Sequence, residues 1–122
     1  MRVVAKFGGT SLGSGERIDR AADSVAAAVG EGHEVAVVAS AMGSTTDDLL
    51  DEINFEADPA VKAEIVSMGE RTSVRMLKTA LEARDIDAIF LEPGSEEWPV
   101  VTDAAGEVDA EATHERAQRI AA

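Results

Sequence analysis

The sequence predicts an α/β fold with a mainly parallel sheet, and three observations support this class. Short apolar runs alternate along the chain with longer segments whose apolar residues recur every three or four positions. The run at residues 34–40 is apolar on both faces, which is typical of a buried parallel strand. Glycine-containing loops follow two of the runs. The length of 122 residues and the 45% of hydrophobic residues suit one domain with a core of its own.

The first part of the chain is predicted to form a strand, a helix and a second strand. Arg2–Phe7 is a short, mostly apolar run and forms the first strand. A helix follows from about Ser14, and Gly30 and Gly32 end it. Its apolar stripe is formed by Ile18, Ala22, Val25 and Val29. Residues 34–40 form the second strand, so the two glycine loops lie at the carboxyl ends of parallel strands and share one rim of the sheet.

The middle of the chain is predicted to be helical. Residues 47–55 form a short helix. A longer helix runs to about Arg84, with Asp58 as its N-cap and Pro59 at its first position. The predicted apolar stripe of this helix is Val61, Ile65, Met68, Thr72, Met76 or Leu77, and Leu81.

Two more strands and a last helix are predicted toward the end of the chain. Residues 87–91 form the third strand, and residues 100–101 form a further short one. The last helix begins at Thr113. No repeat, low-complexity tract or linker interrupts this pattern, so we expect residues 1–122 to belong to one domain, without a second.

The composition excludes several classes of function. With 24 acidic and 11 basic residues the net charge is -13, which disfavours nucleic acid and anionic membrane surfaces as partners. The absence of cysteine excludes disulfides, thiolate metal sites and cysteine nucleophiles. No apolar run approaches the roughly 18 residues of a membrane span. We expect a cytoplasmic protein, and its acidic, lysine-poor composition is typical of halophiles.

The loop after the first strand has the composition of a phosphate site. Gly8 and Gly9 let the backbone approach a ligand and can direct their N–H groups at an anion. Thr10 and Ser11 add hydroxyl groups, and the next helix adds the positive end of its dipole. Lys6 is the one basic residue beside the loop and suits a phosphate as a point charge. The alternative is an ordinary strand-to-helix turn.

Two further segments carry candidate substrate residues. The loop at residues 40–46 has four hydroxyl residues, which could hold a carboxylate, or Thr45 or Thr46 could cap the next helix. Gly69 lies inside the long helical pattern, where a glycine often permits a close approach. Glu70 could then pair with an ammonium group at the rim, or could belong to an exposed Glu–Arg surface.

Four segments in this order resemble the N-terminal part of the aspartate kinases, within the amino-acid kinase superfamily. They are KFGGTS (residues 6–11), VVASAMGSTTDDLL (37–50), IVSMGE (65–70) and DAIFLEP (87–93). The resemblance covers nearly the whole chain. It implies the N-terminal half of a three-layer α/β sandwich with a mainly parallel sheet.

The resemblance also implies a reaction and a set of residues. The family transfers the γ-phosphoryl group of ATP, with Mg²⁺ bound through the nucleotide and no protein metal ligand, to the side-chain carboxylate of L-aspartate. In the matching positions Lys6 is the catalytic residue that neutralises charge on the phosphoryl group. The nucleotide phosphates would be bound by Lys6, Gly8, Gly9, Thr10 and Ser11. The substrate would be bound by Ser40, Ala41, Thr46 and Glu70.

The family pattern is incomplete in this sequence. The GRGGSD-like segment and the nucleotide-binding segment of the family do not occur, so the isolated chain is expected to be inactive. Missing strands would leave a sheet edge uncovered, which predicts self-association or a homo-oligomer. Two alternatives stay open: another kinase of the superfamily, or a non-catalytic module that binds an amino acid or a partner protein.

Overall fold

A computed structural model describes residues 1–121, which form two compact units, Met1–Ile89 and the residues from Phe90 onward. The elements are β1 (Arg2–Phe7), α1 (Gly15–Gly30), β2 (Glu34–Ala39), α2 (Thr45–Glu52), α3 (Pro59–Glu82) and α4 (Ala110–Ala121). A single 3₁₀ turn, Thr10–Leu12, lies between β1 and α1. Within residues 1–121, no helix has both the length and the apolar character needed to cross a membrane.

The sheet of the first unit is parallel, as predicted. β1 pairs with β2 in a register that runs from Arg2 opposite Glu34 to Phe7 opposite Ala39. Helix α1 connects the two strands, so the start of the chain is a β–α–β unit. The backbone N–H of Ser40 donates to the Phe7 carbonyl at 3.0 Å, which extends the pairing into the loop that follows β2. The predicted α/β class with a parallel sheet is confirmed.

The core lies on one face of this sheet, under α1 and α3. Its fully buried members are Leu12, Ile18, Ala21, Ala22, Val25, Leu77 and Leu81. On the other face Val4 is 74% exposed and Val38 is 52% exposed. The expectation that the second strand is buried on both faces is therefore wrong for the described chain. Residues 1–121 show the sheet and the helices on one of its faces, which account for two of the three expected layers.

Helix α3 buries the predicted stripe only near its end, at Leu77 and Leu81, and departs from it earlier. Its buried residues are Gly69, Ser73, Leu77 and Leu81. Met68 and Met76 of the predicted stripe are 50% and 39% exposed, and Thr72 is also exposed. The reason is close approach: the middle of the helix packs through the small residues Gly69 and Ser73, so Met68 and Met76 are turned away from the core.

The third strand predicted at residues 87–91 does not form in the described chain, because neither β1 nor β2 pairs with it. Its apolar alternation has another cause. Ile86 and Ala88 pack against the core of the first unit, whereas Asp87 and Ile89 between and after them are exposed. One-sided packing of an extended segment gives the same period of two as a strand, and the pattern cannot show whether a pairing partner exists.

The second unit contains one bridge and one helix. The strand predicted at residues 100–101 is replaced by an isolated antiparallel bridge between Thr102 and Val108. Helix α4 begins three residues earlier than predicted because Asp109 precedes it, and the Asp109 Oδ1 atom accepts the N–H of Ala112 at 3.0 Å.

Arg84 joins the end of α3 to α1. Its Nε donates to Asp23 Oδ1 at 2.9 Å, and its Nη2 donates to Asp19 Oδ1 at 3.3 Å. The hydrogen bond to Asp23 is the main cause that raises the pKa of Arg84 above its ordinary value, and Asp19 adds to it. The charged guanidinium therefore links the end of α3 to Asp19 and Asp23 within α1.

Ser73 provides a test of the packing between α3 and the core. It is fully buried, and its hydroxyl has no hydrogen-bond partner among the described residues. We expect Ser73→Ala to raise the free energy of unfolding by about 1 kcal/mol, because an unsatisfied buried hydroxyl is removed and alanine favours the helix.

Ser67→Ala is the matched control in urea denaturation. The Ser67 hydroxyl donates to the Glu64 carbonyl at 2.8 Å on the same helix, so this variant should gain less than Ser73→Ala. If Ser73→Ala instead has a lower free energy of unfolding than Ser67→Ala, the Ser73 hydroxyl must be hydrogen-bonded.

Candidate phosphate and substrate site

The two glycine loops meet backbone to backbone at the rim of the sheet. The N–H of Gly43 donates to the Gly9 carbonyl at 2.9 Å. A Cβ at Gly9 would lie 2.9 Å from the Gly43 oxygen and 3.2 Å from the Ala41 oxygen, both of them backbone atoms. Such contacts leave no room for a side chain, so the approach of the two loops requires glycine at position 9. Neighbouring parallel strands thus bring their carboxyl-terminal loops together.

The open side of the first loop lies at Gly8 and Lys6. A Cβ at Gly8 would have no atom within 4 Å, so the backbone there is accessible to a ligand. Lys6 lies one position before the end of β1 and is exposed, on the sheet face opposite α1. Thr10 and Ser11 follow in the 3₁₀ turn and are exposed as well. The loop therefore offers backbone, hydroxyl and ammonium donors to solvent, which are the groups that bind phosphate.

The third motif contacts the second loop through Gly69. A Cβ at Gly69 would lie 2.7 Å from the Cβ of Ala41 and 3.2 Å from the Cγ2 of Thr45. Ala41 is buried beneath this contact. Glu70 follows Gly69 directly and is half-buried. The three motifs consequently form one chain of close contacts, from the first loop through the second loop to α3.

Polar groups of the second loop are arranged around the start of α2. Both the N–H and the hydroxyl of Thr45 donate to the Met42 carbonyl. The capping position is Ser44, whose hydroxyl donates to Asp48 Oδ2 at 3.0 Å and caps no backbone group. The alternative that Thr45 or Thr46 caps the helix is therefore wrong. Thr46 lies inside α2 as a half-buried residue, and Ser40 directly after β2 is half-buried too.

A shallow groove of about 340 Å³ lies beside the first loop, and sequence reasoning did not anticipate it. Its lining residues are Phe7, Thr10, Ser11, Arg17, Arg20, Ala21 and Ser24. Thr10 and Ser11 line the groove, whereas Lys6 and Gly8 do not. Arg17 was missed because it contacts the loop through a backbone carbonyl, that of Thr10, which leaves no motif in the sequence.

A metal held by the protein itself has no candidate site in the part of the chain that the structure describes. No group of three or more His, Asp or Glu side chains there could hold an ion.

Comparisons with known proteins show the family of this chain. The model of the Amino acid kinase family matches residues 1–121. The chain belongs to the amino acid kinase family. Curated relatives include aspartokinase 2 of Bacillus subtilis strain 168, 40% identical over 90 residues, which are 71% of this chain and 22% of the relative. The aspartokinase of Helicobacter pylori strain 26695 is 46% identical over 94 residues, 75% of this chain and 23% of the relative.

A solved structure supports the same family. The crystal structure of aspartate kinase from Synechocystis is 40% identical, with a TM-score of 0.68, and the match covers 72% of this chain and 16% of that one. The chain spans less than a quarter of the length of the curated aspartokinases that it matches.

Proposed function

We propose that residues 1–122 are the N-terminal portion of the kinase domain of an aspartate kinase. The reaction is the ATP-dependent phosphorylation of the side-chain carboxylate of L-aspartate to 4-phospho-L-aspartate. The observation that carries the proposal is the contact chain of the three motifs, through Gly9 and Gly43 and then through Gly69 and Ala41. ATP as co-substrate fits a location in the cytoplasm.

The first loop would hold the phosphates. Lys6 would neutralise negative charge on the phosphoryl group during transfer, because an ammonium group acts as a compact point charge. The backbone N–H groups of Gly8 and Gly9 would donate to phosphate oxygens, with the Thr10 and Ser11 hydroxyls close by. Mg²⁺, bound through the nucleotide, would supply further charge neutralisation.

The second loop and α3 would bind the amino acid. Ser40, Ala41 and Thr46 would lie beside the substrate, Thr46 as the partner of its carboxylate. Glu70 would receive the α-ammonium group in a charge-assisted hydrogen bond. Support comes from the packing of Gly69 on Ala41 and Thr45, which brings the backbone of Glu70 to the second loop. In this arrangement the acceptor would lie next to the phosphate loop, as direct transfer requires.

The proposal is tested by calorimetric titration of this chain with L-aspartate and then with Mg-ATP, in molar KCl because of the net charge of -13. We expect aspartate to bind without turnover. Binding of N-acetylglutamate or UMP in place of aspartate would favour another kinase of the superfamily. Binding of neither aspartate nor ATP, with a partner protein bound instead, would favour a non-catalytic module.

Glu70→Gln should weaken aspartate binding by about 10-fold or more, since the charge-assisted bond to the ammonium group is replaced by a neutral one. Glu64→Gln is the matched control, because Glu64 is an exposed residue on the same helix. Equal affinities of the two variants would remove Glu70 from the substrate site.

A further inference from the structure

We propose that Arg17 is a positioning residue that holds the first glycine loop in its ligand-binding conformation. Its Nη1 atom donates a hydrogen bond to the backbone carbonyl of Thr10, seven residues earlier in the chain. Thr10 directly follows Gly8 and Gly9, whose N–H groups the proposed function assigns to phosphate. Arg17 itself is exposed and lines the groove with Thr10 and Ser11, and its side chain is bonded to the loop backbone at Thr10.

The backbone of Arg17, at the helix end of this bond, is held in place by its neighbours. The N–H of Arg17 donates to the hydroxyl of Ser14, the N-cap of α1, at 3.2 Å. Ile18, the next residue, is 3% exposed and belongs to the core. The Arg17 backbone is therefore fixed on both sides, and its side chain can transmit that position to the loop.

The loop needs such an anchor because glycine permits many backbone conformations. The Gly9 carbonyl is already held by two donors, the N–H of Leu12 at 3.2 Å and the N–H of Gly43 at 2.9 Å. The next carbonyl, that of Thr10, accepts from the N–H of Gly13 at 3.4 Å, a long bond. The guanidinium of Arg17 adds a second, charged donor at this carbonyl. Donors that are oriented before the reaction stabilise developing charge without reorganisation, so a fixed loop bears on the rate of transfer.

Arg20 provides a matched control. It lies nearly one turn further along α1 and lines the same groove. Its Nη2 donates to Glu16 Oε1 at 2.9 Å and makes no bond to the loop. Removing either arginine takes one positive charge from the same surface, so a difference between the two variants reports the bond to Thr10 and not the charge.

The direct test is nuclear magnetic resonance on this chain, with the variants Arg17→Ala, Arg17→Lys and Arg20→Ala. In Arg17→Ala we expect ¹⁵N order parameters at Gly8 and Gly9 to fall from about 0.85 to below about 0.6. Amide exchange at Leu12 and Gly13, whose N–H groups close the turn, should become about 10-fold faster. Arg17→Lys should recover part of both effects, since an ammonium group can also donate to the carbonyl. A loop in Arg17→Ala that is as ordered as in Arg20→Ala overturns the proposal.

A second readout separates this inference from the proposed function, on which its catalytic consequence rests. In an active enzyme that contains this chain, Arg17→Ala should lower kcat by about 10-fold with the KM for aspartate unchanged, and Arg20→Ala should leave both unchanged. A loosened loop with an unchanged kcat would support the positioning role of Arg17 and count against the loop's role in phosphoryl transfer. A lower kcat with a loop as ordered as the control's would overturn the positioning role.

Discussion

Gly69→Val is expected to lower the free energy of unfolding by about 2–3 kcal/mol, a cost typical of overpacking in a core. The first added carbon would lie 2.7 Å from the Cβ of Ala41, well inside contact distance. That Cβ is fixed directly to the backbone and cannot rotate away. Relief therefore requires a shift of the second loop or of α3, and the core residue Leu77 moves with α3.

Gly30→Ala is the control for this substitution. Gly30 is the last residue of α1, and a Cβ there would have no atom within 4 Å. Alanine should leave the protein equally stable or stabilise it by up to about 1 kcal/mol, because glycine is the weaker helix former. Urea denaturation of both variants measures the difference. A Gly69→Val protein as stable as Gly30→Ala would show that α3 does not approach the second loop this closely.

The same substitution should also act on the substrate residues. Ala41 and Thr45 form the contact that the new side chain would displace, and Thr46 and Glu70 follow directly on the two sides of it. We therefore expect Gly69→Val to weaken aspartate binding in the calorimetric titration even at temperatures where it remains folded. The control protein Gly30→Ala, which is changed at the end of α1 and outside the proposed substrate residues, should bind aspartate as the parent protein does.

Hydrophobic periodicity predicted the elements of the first unit well where an element packs a single apolar face against the core. The observed bounds of β1 and α1 agree with the predicted ones, and β2 ends one residue before the predicted end. The stripe of α1 was right at three of its four positions, with Val29 as the exposed exception at 36%. These elements obey simple periodicity because a strand or helix with one apolar face has one way to bury it.

The same reasoning failed where tertiary contact overrides periodicity. In α3 the buried face is chosen by Gly69, which admits a neighbouring loop, whereas Met68 carries the larger apolar side chain and stays half-exposed. A hydrophobicity pattern gives Met68 a higher expected burial than Gly69. It cannot show that the space beside a glycine is filled by residues of a neighbouring loop. The prediction of a strand at residues 87–91 failed for a related reason, because the sequence of a segment does not show whether a partner strand is available.

The motifs of the candidate site could be selected from the sequence, whereas the contacts that hold them together could not. Composition alone left the two glycine loops as ordinary turns or helix caps, and the resemblance to a family selected the residues. The structure adds the contacts between them, at Gly9 and at Gly69, and the bond from Arg17. The contacts at Gly9 and at the Thr10 carbonyl involve backbone atoms, which every residue possesses, so they leave no side-chain signature in a single sequence.

The largest expected effect belongs to Lys6→Ala. In an active enzyme that contains this chain we expect turnover to fall by about 10²–10³-fold, the usual cost of losing one donor that stabilises charge in the transition state. The KM for aspartate should change little, because Lys6 is assigned to the phosphoryl group and not to the acceptor. Lys6 is an exposed residue opposite Val38 on the sheet face away from the core, so its loss should leave the stability of the fold unchanged.

Arg2→Ala separates a catalytic charge from a merely basic surface. Arg2 lies on the same exposed face of the same strand, four positions earlier, and its Nε pairs with Glu34 Oε2 at 2.8 Å. An exposed pair of this kind contributes between about 0 and 1 kcal/mol, so the control should remain folded and active. Near-normal turnover in Lys6→Ala, or an equal loss in both variants, would refute the role of Lys6. A selective loss of kcat would place the transferred phosphoryl group at the open side of the first loop, where Gly8 leaves the backbone accessible.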